Sequence, residues 1–155
     1  MQRHFRVLLV LALTQITGWG AVSVLPVIAP RIATEFGGPL PSIFLGTSLM
    51  YAAMGLAAPW VGRAFRRFGT RHVMAAGAGM IGLGLCLLSR APNLEVFWIA
   101  WALTGLGGAM FLTTAAYAYI AECEGDRARS LIGTLMLVTG LAGSVFWPIT
   151  ALVEN

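Results

Sequence analysis

Apolar positions in this chain neither alternate nor form a narrow stripe. They fill five uninterrupted stretches, about 7–29, 42–61, 73–89, 96–121 and 130–153, and none contains Asp, Glu, Arg, Lys or His. Each is close to the 20 or so residues that a helix needs to cross about 30 Å of hydrocarbon. Backbone polar groups must be paired internally in lipid, so a spanning stretch is either a helix or a barrel strand. The absence of alternation excludes the strand. The pattern therefore predicts an all-α integral membrane protein with five transmembrane helices. The segments between them hold the helix breakers: Pro30-Arg31 through Gly37-Gly38-Pro39-Leu40-Pro41 after the first, so that Pro30 is expected to end its helix, and Arg90-Ala91-Pro92-Asn93 after the third.

Composition agrees and charge adds orientation. Hydrophobic residues make up 58% and charged residues only 10%, against about a quarter charged in soluble domains, and the mean hydropathy is +0.81. A formal charge of +4 invites a nucleic-acid reading. Every basic residue is Arg, however, and they flank the apolar stretches, which suits membrane topology better than a phosphate-binding surface; no nucleic-acid partner is expected. With the amino terminus in the cytoplasm, Arg3, Arg6, Arg63, Arg66, Arg67, Arg71, Arg127 and Arg129 lie inside, and only Arg31 and Arg90 outside. The basic start resembles a signal peptide. The apolar run that follows continues through Gln15 and Trp19 beyond the length of a signal's core, so an uncleaved span is expected. The lipid bilayer of the inner (plasma) membrane is the first partner.

Candidate chemistry is sparse. Cys86 and Cys123 form no metal or redox pair, and no His, Cys or acidic cluster suggests a metal, a cofactor or an enzyme. Gly77-Ala78-Gly79-Met80-Ile81-Gly82 matches the dinucleotide fingerprint, but it lies inside an apolar run rather than between a strand and a helix. Small residues at four-residue spacing, Ala75 with Gly79, Ala78 with Gly82, Gly105 with Ala109 and Gly140 with Ser144, read as helix-packing seams. What remains inside the spans is neutral and polar: Thr14, Gln15 and Thr17 with Trp19 in the first, Thr47, Ser48 and Tyr51 in the second, Thr113, Thr114 and Tyr117 in the fourth, and Thr139, Ser144 and Trp147 in the fifth. Most Ser and Thr are expected to bond to their own helix. Gln15 differs, because a mid-helix amide in hydrocarbon needs a partner or a cavity. Gln15, Trp19, Tyr51, Thr114, Tyr117 and Trp147 are accordingly the candidates for a common cavity wall.

After the second stretch, Gly62, Arg67, Gly69 and Arg71 fall on four positions of the loop signature G-x-x-x-D-[RK]-x-G-[RK]-[RK], and here the chain resembles the major facilitator superfamily. The acidic position is Arg66 and the first closing basic position is Thr70. Leu25-Pro26-Val27-Ile28-Ala29-Pro30 is similar to that family's first-span exit. The stretch from Trp101 to Ala109 is similar to its fourth-span glycine motif, with Trp101 where many members have Arg. Gly140 to Pro148 is similar to the fifth span of bacterial monocarboxylate-transporter-like members.

The resemblance implies two bundles of six helices working by alternating access around a central site. Residues 1–155 would then be an incomplete amino-terminal bundle of a transporter for a small solute, partnered by a carboxy-terminal half or another copy and not expected to transport alone. A different reading is a small membrane scaffold that packs against partner helices without transport. Five spans from a cytoplasmic amino terminus place Asp126 and Asn155 on opposite faces. Reporter fusions at these two residues should report opposite compartments, and a common compartment would sink the topology.

Overall fold

In the computed structural model, residues 2–141 together with Ser144, Pro148 and Leu152 are described. The chain forms seven α-helices among these residues: α1 (Gln2–Val22), α2 (Leu25–Phe36), α3 (Leu40–Phe68), α4 (Thr70–Leu88), α5 (Leu94–Phe111), α6 (Thr113–Glu124) and α7 (Ala128–Gly140). A 3-10 turn at Gly125–Arg127 links the last two. Among the described residues, four helical stretches are long and apolar enough to cross a membrane: Arg6–Phe36, Leu40–Phe68, Thr70–Leu88 and Leu94–Gly140. The last has 47 residues, about 70 Å of helix at 1.5 Å per residue, and contains α5, α6 and α7. The expected fourth and fifth spans both fall in it, the fifth only as far as the described residues reach.

The helix boundaries differ from the sequence reading in two places. Pro30 was expected to end the first helix, yet α2 runs through it to Phe36. Proline is tolerated in membrane helices when nearby groups use the freed carbonyls, and the Thr34 hydroxyl donates to the Pro30 carbonyl at 3.0 Å. The stop comes at Gly37, with φ +62°. The Gly38 N–H bonds to the Ala33 carbonyl and the Gly37 N–H to that of Thr34, the pairing of a Schellman cap. The real interruption is earlier, at Ser23 and Val24, just before Pro26, which lacks an N–H and restricts the residue ahead of it. The stretch expected as one fourth span is likewise two helices, separated at Leu112, whose ψ of −162° is extended.

The chain divides into two compact units, Leu25–Phe111 and Met1–Val24 with Leu112–Asn155. In the first, α5 packs mainly against α4 and α3, and α2 packs on α3. Contact is backbone to backbone. A Cβ on Gly105 would collide with the Met50 carbonyl, and one on Gly107 would lie 2.8 Å from the Gly77 carbonyl and the Ile81 nitrogen. Gly46 leaves room for the Trp101 ring, which stacks edge-on to Phe97. The Trp98 indole N–H donates to the Ser42 carbonyl at 2.8 Å.

The α4 seam is therefore not the expected one. Ala75, Ala78, Gly79 and Gly82 are exposed, with open space beside both glycines, whereas Gly77 and Gly84 face α5. The same geometry disposes of the dinucleotide motif, which lies in mid-helix with Gly77 pressed against Gly107.

In the second unit, α1 packs against α7 and α6, and α6 against α7. Hydroxyls in both units bond to their own helices, as at Thr14, Thr17, Thr104 and Thr134.

A methyl group at the two kinds of α4/α5 glycine should act with opposite sign. Gly105→Ala is expected to destabilise by about 1–3 kcal/mol through overpacking, and Gly79→Ala to stabilise by about 0.5–1 kcal/mol through helix propensity. Thermal unfolding in detergent measures both, and equal shifts would remove the seam assignment.

Candidate functional site

A concavity with a mainly apolar lining and a few polar groups lies within the unit made of Met1–Val24 and Leu112–Asn155. Its anchor is a hydrogen bond between helices: the Trp19 indole N–H, near the end of α1, donates to the Thr113 hydroxyl at the first position of α6, at 2.8 Å. Trp19 and Ser23 from α1 and the turn after it, Thr113 and Tyr117 one turn apart on α6, and Met136, Thr139 and Gly140 from the end of α7 line a groove of about 430 Å³. This is within the size range of small-molecule sites. The start of α6 and the end of α7 share the groove because α7 folds back along α6 after the 3-10 turn.

Each wall has a local cause. The Ser23 N–H closes the last turn of α1 onto the Trp19 carbonyl at 2.9 Å, which brings Ser23 beside the Trp19 ring. Leu112, buried and extended, starts α6 afresh and receives the Ala115 N–H at 2.9 Å. Gly140 carries no side chain to fill the groove.

The lining is chemically neutral. Two aromatic faces, the hydroxyls of Ser23, Thr113, Tyr117 and Thr139, and the Met136 thioether are what a ligand would meet. Trp19 and Tyr117 rings can hold a cation over their faces, and none of these groups forms an ion pair. Among the described residues no three His, Cys, Asp or Glu side chains gather to hold a metal ion.

Of the six cavity candidates, the structure brings Trp19 and Tyr117 together in this groove. Gln15 is fully buried one turn before Trp19 on α1. Thr114 is exposed, and its neighbour Thr113 makes the bond to Trp19. Tyr51, on α3 in the other unit, is exposed. Trp147 lies outside the described residues. Sequence reasoning passed over Ser23 and Met136, and it included Thr113 and Thr139 only among the unassigned polar residues. A helical projection from Trp19 and Tyr117 finds the two on the same helices, since Ser23 and Thr113 each lie four residues from one of them.

The loop-signature residues mark the α3–α4 turn. Gly69, with φ +79° and ψ 141°, is the single residue between α3 and α4. It adopts a conformation that L side chains rarely enter. Gly62 is half-buried, and Arg66, Arg67 and Arg71 are exposed.

Residues 8–153 match the Major Facilitator Superfamily, and the chain belongs to that family. It is a multi-pass membrane protein. It is similar to a multidrug resistance protein B homolog of Mycobacterium tuberculosis (strain CDC 1551 / Oshkosh), 30% identical over 131 residues, 83% of this chain and 24% of that one. It is also similar to the multidrug resistance protein MdtH of Yersinia enterocolitica, 25% identical over 126 residues, 81% of this chain and 31% of that one. The chain thus spans about a quarter to a third of the length of these relatives. No solved structure matches.

If the Trp19–Thr113 bond holds α1 to α6, Trp19→Phe and Thr113→Val should each cost about 0.5–1.5 kcal/mol. The double variant should cost less than their sum, with a coupling near the roughly 0.6 kcal/mol typical between membrane helices. Strict additivity in a double-mutant cycle would show that the bond contributes nothing.

Proposed function

We propose that this chain contributes the amino-terminal bundle of a solute transporter, and that the Trp19–Tyr117 groove is its part of the solute pathway. One observation supports this most directly: a neutral groove walled by two aromatic rings and four hydroxyls, in a chain of this family. Its preferred solute is a small amphipathic molecule with an aromatic ring, neutral or carrying a delocalised positive charge. The ring stacks on Trp19 and Tyr117, and polar edges meet Ser23, Thr113 and Thr139. The relatives named as multidrug resistance proteins are consistent with this solute class.

In the same reading the chain crosses the inner membrane five times from a cytoplasmic amino terminus. The spans are those containing α1–α2, α3, α4, α5–α6 and α7. Gln15, buried one turn before Trp19 on α1, belongs in this reading to the support of the groove rather than to its lining. Translocation requires a second bundle moving against this one around the site, supplied by a carboxy-terminal half or another copy.

Binding and translocation therefore separate in one experiment. The purified chain in liposomes should bind tetraphenylphosphonium or rhodamine 6G with quenching of tryptophan fluorescence. Trp19→Ala and Tyr117→Ala should each weaken binding by on the order of tenfold, as expected for losing an aromatic contact worth about 1–1.5 kcal/mol. Uptake by the chain alone should show no saturation. Binding unchanged by both substitutions would overturn the groove assignment. Saturable uptake lost in Trp19→Ala would show that copies of this chain supply the second bundle themselves.

A further inference from the structure

The Leu25–Phe111 unit has unequal ends. At one end lie the α2–α3 and α4–α5 connections, brought together by the Phe36–Phe97 ring contact and the Trp98–Ser42 bond. Arg31 and Arg90 there are matched by Glu35 and Glu95, and Arg31 pairs with Glu35 at 3.4 Å. The opposite end holds the α3–α4 turn. Arg63, Arg66, Arg67 and Arg71 all lie exposed there, and the sequence contains no acidic residue between Glu35 and Glu95. Four positive charges thus stand together with no acidic residue at their own end of the unit.

Their depth follows from helix length. α3 has 29 residues, about 43 Å at 1.5 Å per residue, against a hydrocarbon core of about 30 Å. About 20 residues of α3 from Leu40 fill that core and end at Trp60, so Arg63, Arg66 and Arg67 stand at headgroup level. Trp60 is 62% and Phe68 60% exposed, as suits aromatic side chains seated at a membrane interface. Arg67 lies over the Phe68 ring, 5.2 Å from its centroid. Gly69 then reverses the chain in one residue, so that Arg71, in the first turn of α4, returns to the same level. The acidic residue expected at position 66 from the loop signature would have neutralised part of this field, and Arg66 adds to it instead.

We infer that the α3–α4 turn is a binding site for anionic phospholipid headgroups, with Arg63, Arg66, Arg67 and Arg71 gripping the phosphates and Trp60 seated at the top of the acyl chains. Guanidinium groups suit phosphate oxygens because they donate in pairs. A basic cluster beside a membrane helix gains further from the negative surface potential of an anionic leaflet.

The test uses the full chain in phosphatidylcholine nanodiscs doped with brominated phosphatidylglycerol or, separately, brominated phosphatidylcholine. The Trp60 signal is taken as the difference between wild type and Trp60→Phe. Phosphatidylglycerol should quench Trp60 at far lower fractions than phosphatidylcholine, and the preference should shrink as salt is raised. Each Arg→Gln substitution at 63, 66, 67 or 71 should weaken the preference roughly fivefold, while the Arg127→Gln, Arg129→Gln double variant should leave it unchanged. Circular dichroism checks that the variants keep their helices, and the salt titration on wild type serves where a variant does not. Excess inorganic phosphate should not displace the lipid. Equal quenching by the two lipids, a preference indifferent to salt, a preference intact in the quadruple Gln variant, or displacement by free phosphate would each overturn the assignment.

Discussion

Two membrane helices surrounded by hydrocarbon gain nothing by hiding apolar side chains from one another, because lipid tails are as apolar as leucine. Their association has to come from close packing and from polar groups that would otherwise lack partners. In the Leu25–Phe111 unit this constraint is met at the α5 backbone. Gly105 and Gly107 let α5 touch the main chains of α3 and α4 at once, on two sides of a single turn. Gly46 and Gly84 repeat the device one helix away, receiving the Trp101 ring and the Thr104 side chain. The direction of α5 between its two neighbours fixes which loops share an end, and so gathers the four arginines at one end and the balanced pairs at the other.

The second unit meets the same constraint with a polar contact. Where α1 and α6 approach, a side-chain hydrogen bond joins them. The indole of Trp19 reaches the Thr113 hydroxyl, and the space left around that bond is the groove. Counting 13 residues from Arg6 to Trp19 puts the bond about 20 Å along the helix from its basic end, well inside a bilayer. Both helices that meet there are interrupted nearby, α1 after Val22 and α6 before Thr113. Irregular backbone at membrane depth is tolerated where it lines a cavity or lies buried in protein, and Ser23 lines this one.

The sequence made the helical stretches legible because lipid demands long uncharged runs, and it made the basic ends legible because arginine is the sole cation. Phase was not legible. Ala75 with Gly79, Ala78 with Gly82, and Gly77 with Gly84 two turns on, are all spacings that set small residues on one side of a helix. A helix that is apolar all round gives no polar face to say which side packs, so the pattern points as readily to the exposed Ala75, Ala78, Gly79 and Gly82 as to the side that meets α5. Thr113 and Thr114 pose the same problem, one residue and about 100° apart on α6. Pro30 was read as a stop since proline breaks soluble helices, whereas Gly37, with its positive φ, ends α2. The break at Leu112 has no proline or glycine of its own and left no local signal. Trp19 and Tyr117 were legible as amphipathic rings in a hydrophobic run, a combination that calls for a polar contact.

The neutrality of the groove bears on what it can select in the proposed role. A solute that reaches it from the bilayer has already left water, so burying its apolar surface against Trp19 and Met136 gains little over remaining in lipid. Discrimination then rests on the hydroxyls of Ser23, Thr113, Tyr117 and Thr139 and on the ring quadrupoles. A neutral hydrogen bond contributes about 0.5–1.5 kcal/mol, and a desolvated cation over a ring about 2 kcal/mol. Two or three such contacts distinguish solutes by factors of tens to hundreds rather than by the far larger factors that a buried ion pair enforces. Thr113 is further constrained, because its hydroxyl oxygen already accepts from Trp19 and has its own hydrogen left to donate. A site built this way favours molecules by shape and aromatic character and is permissive about the rest.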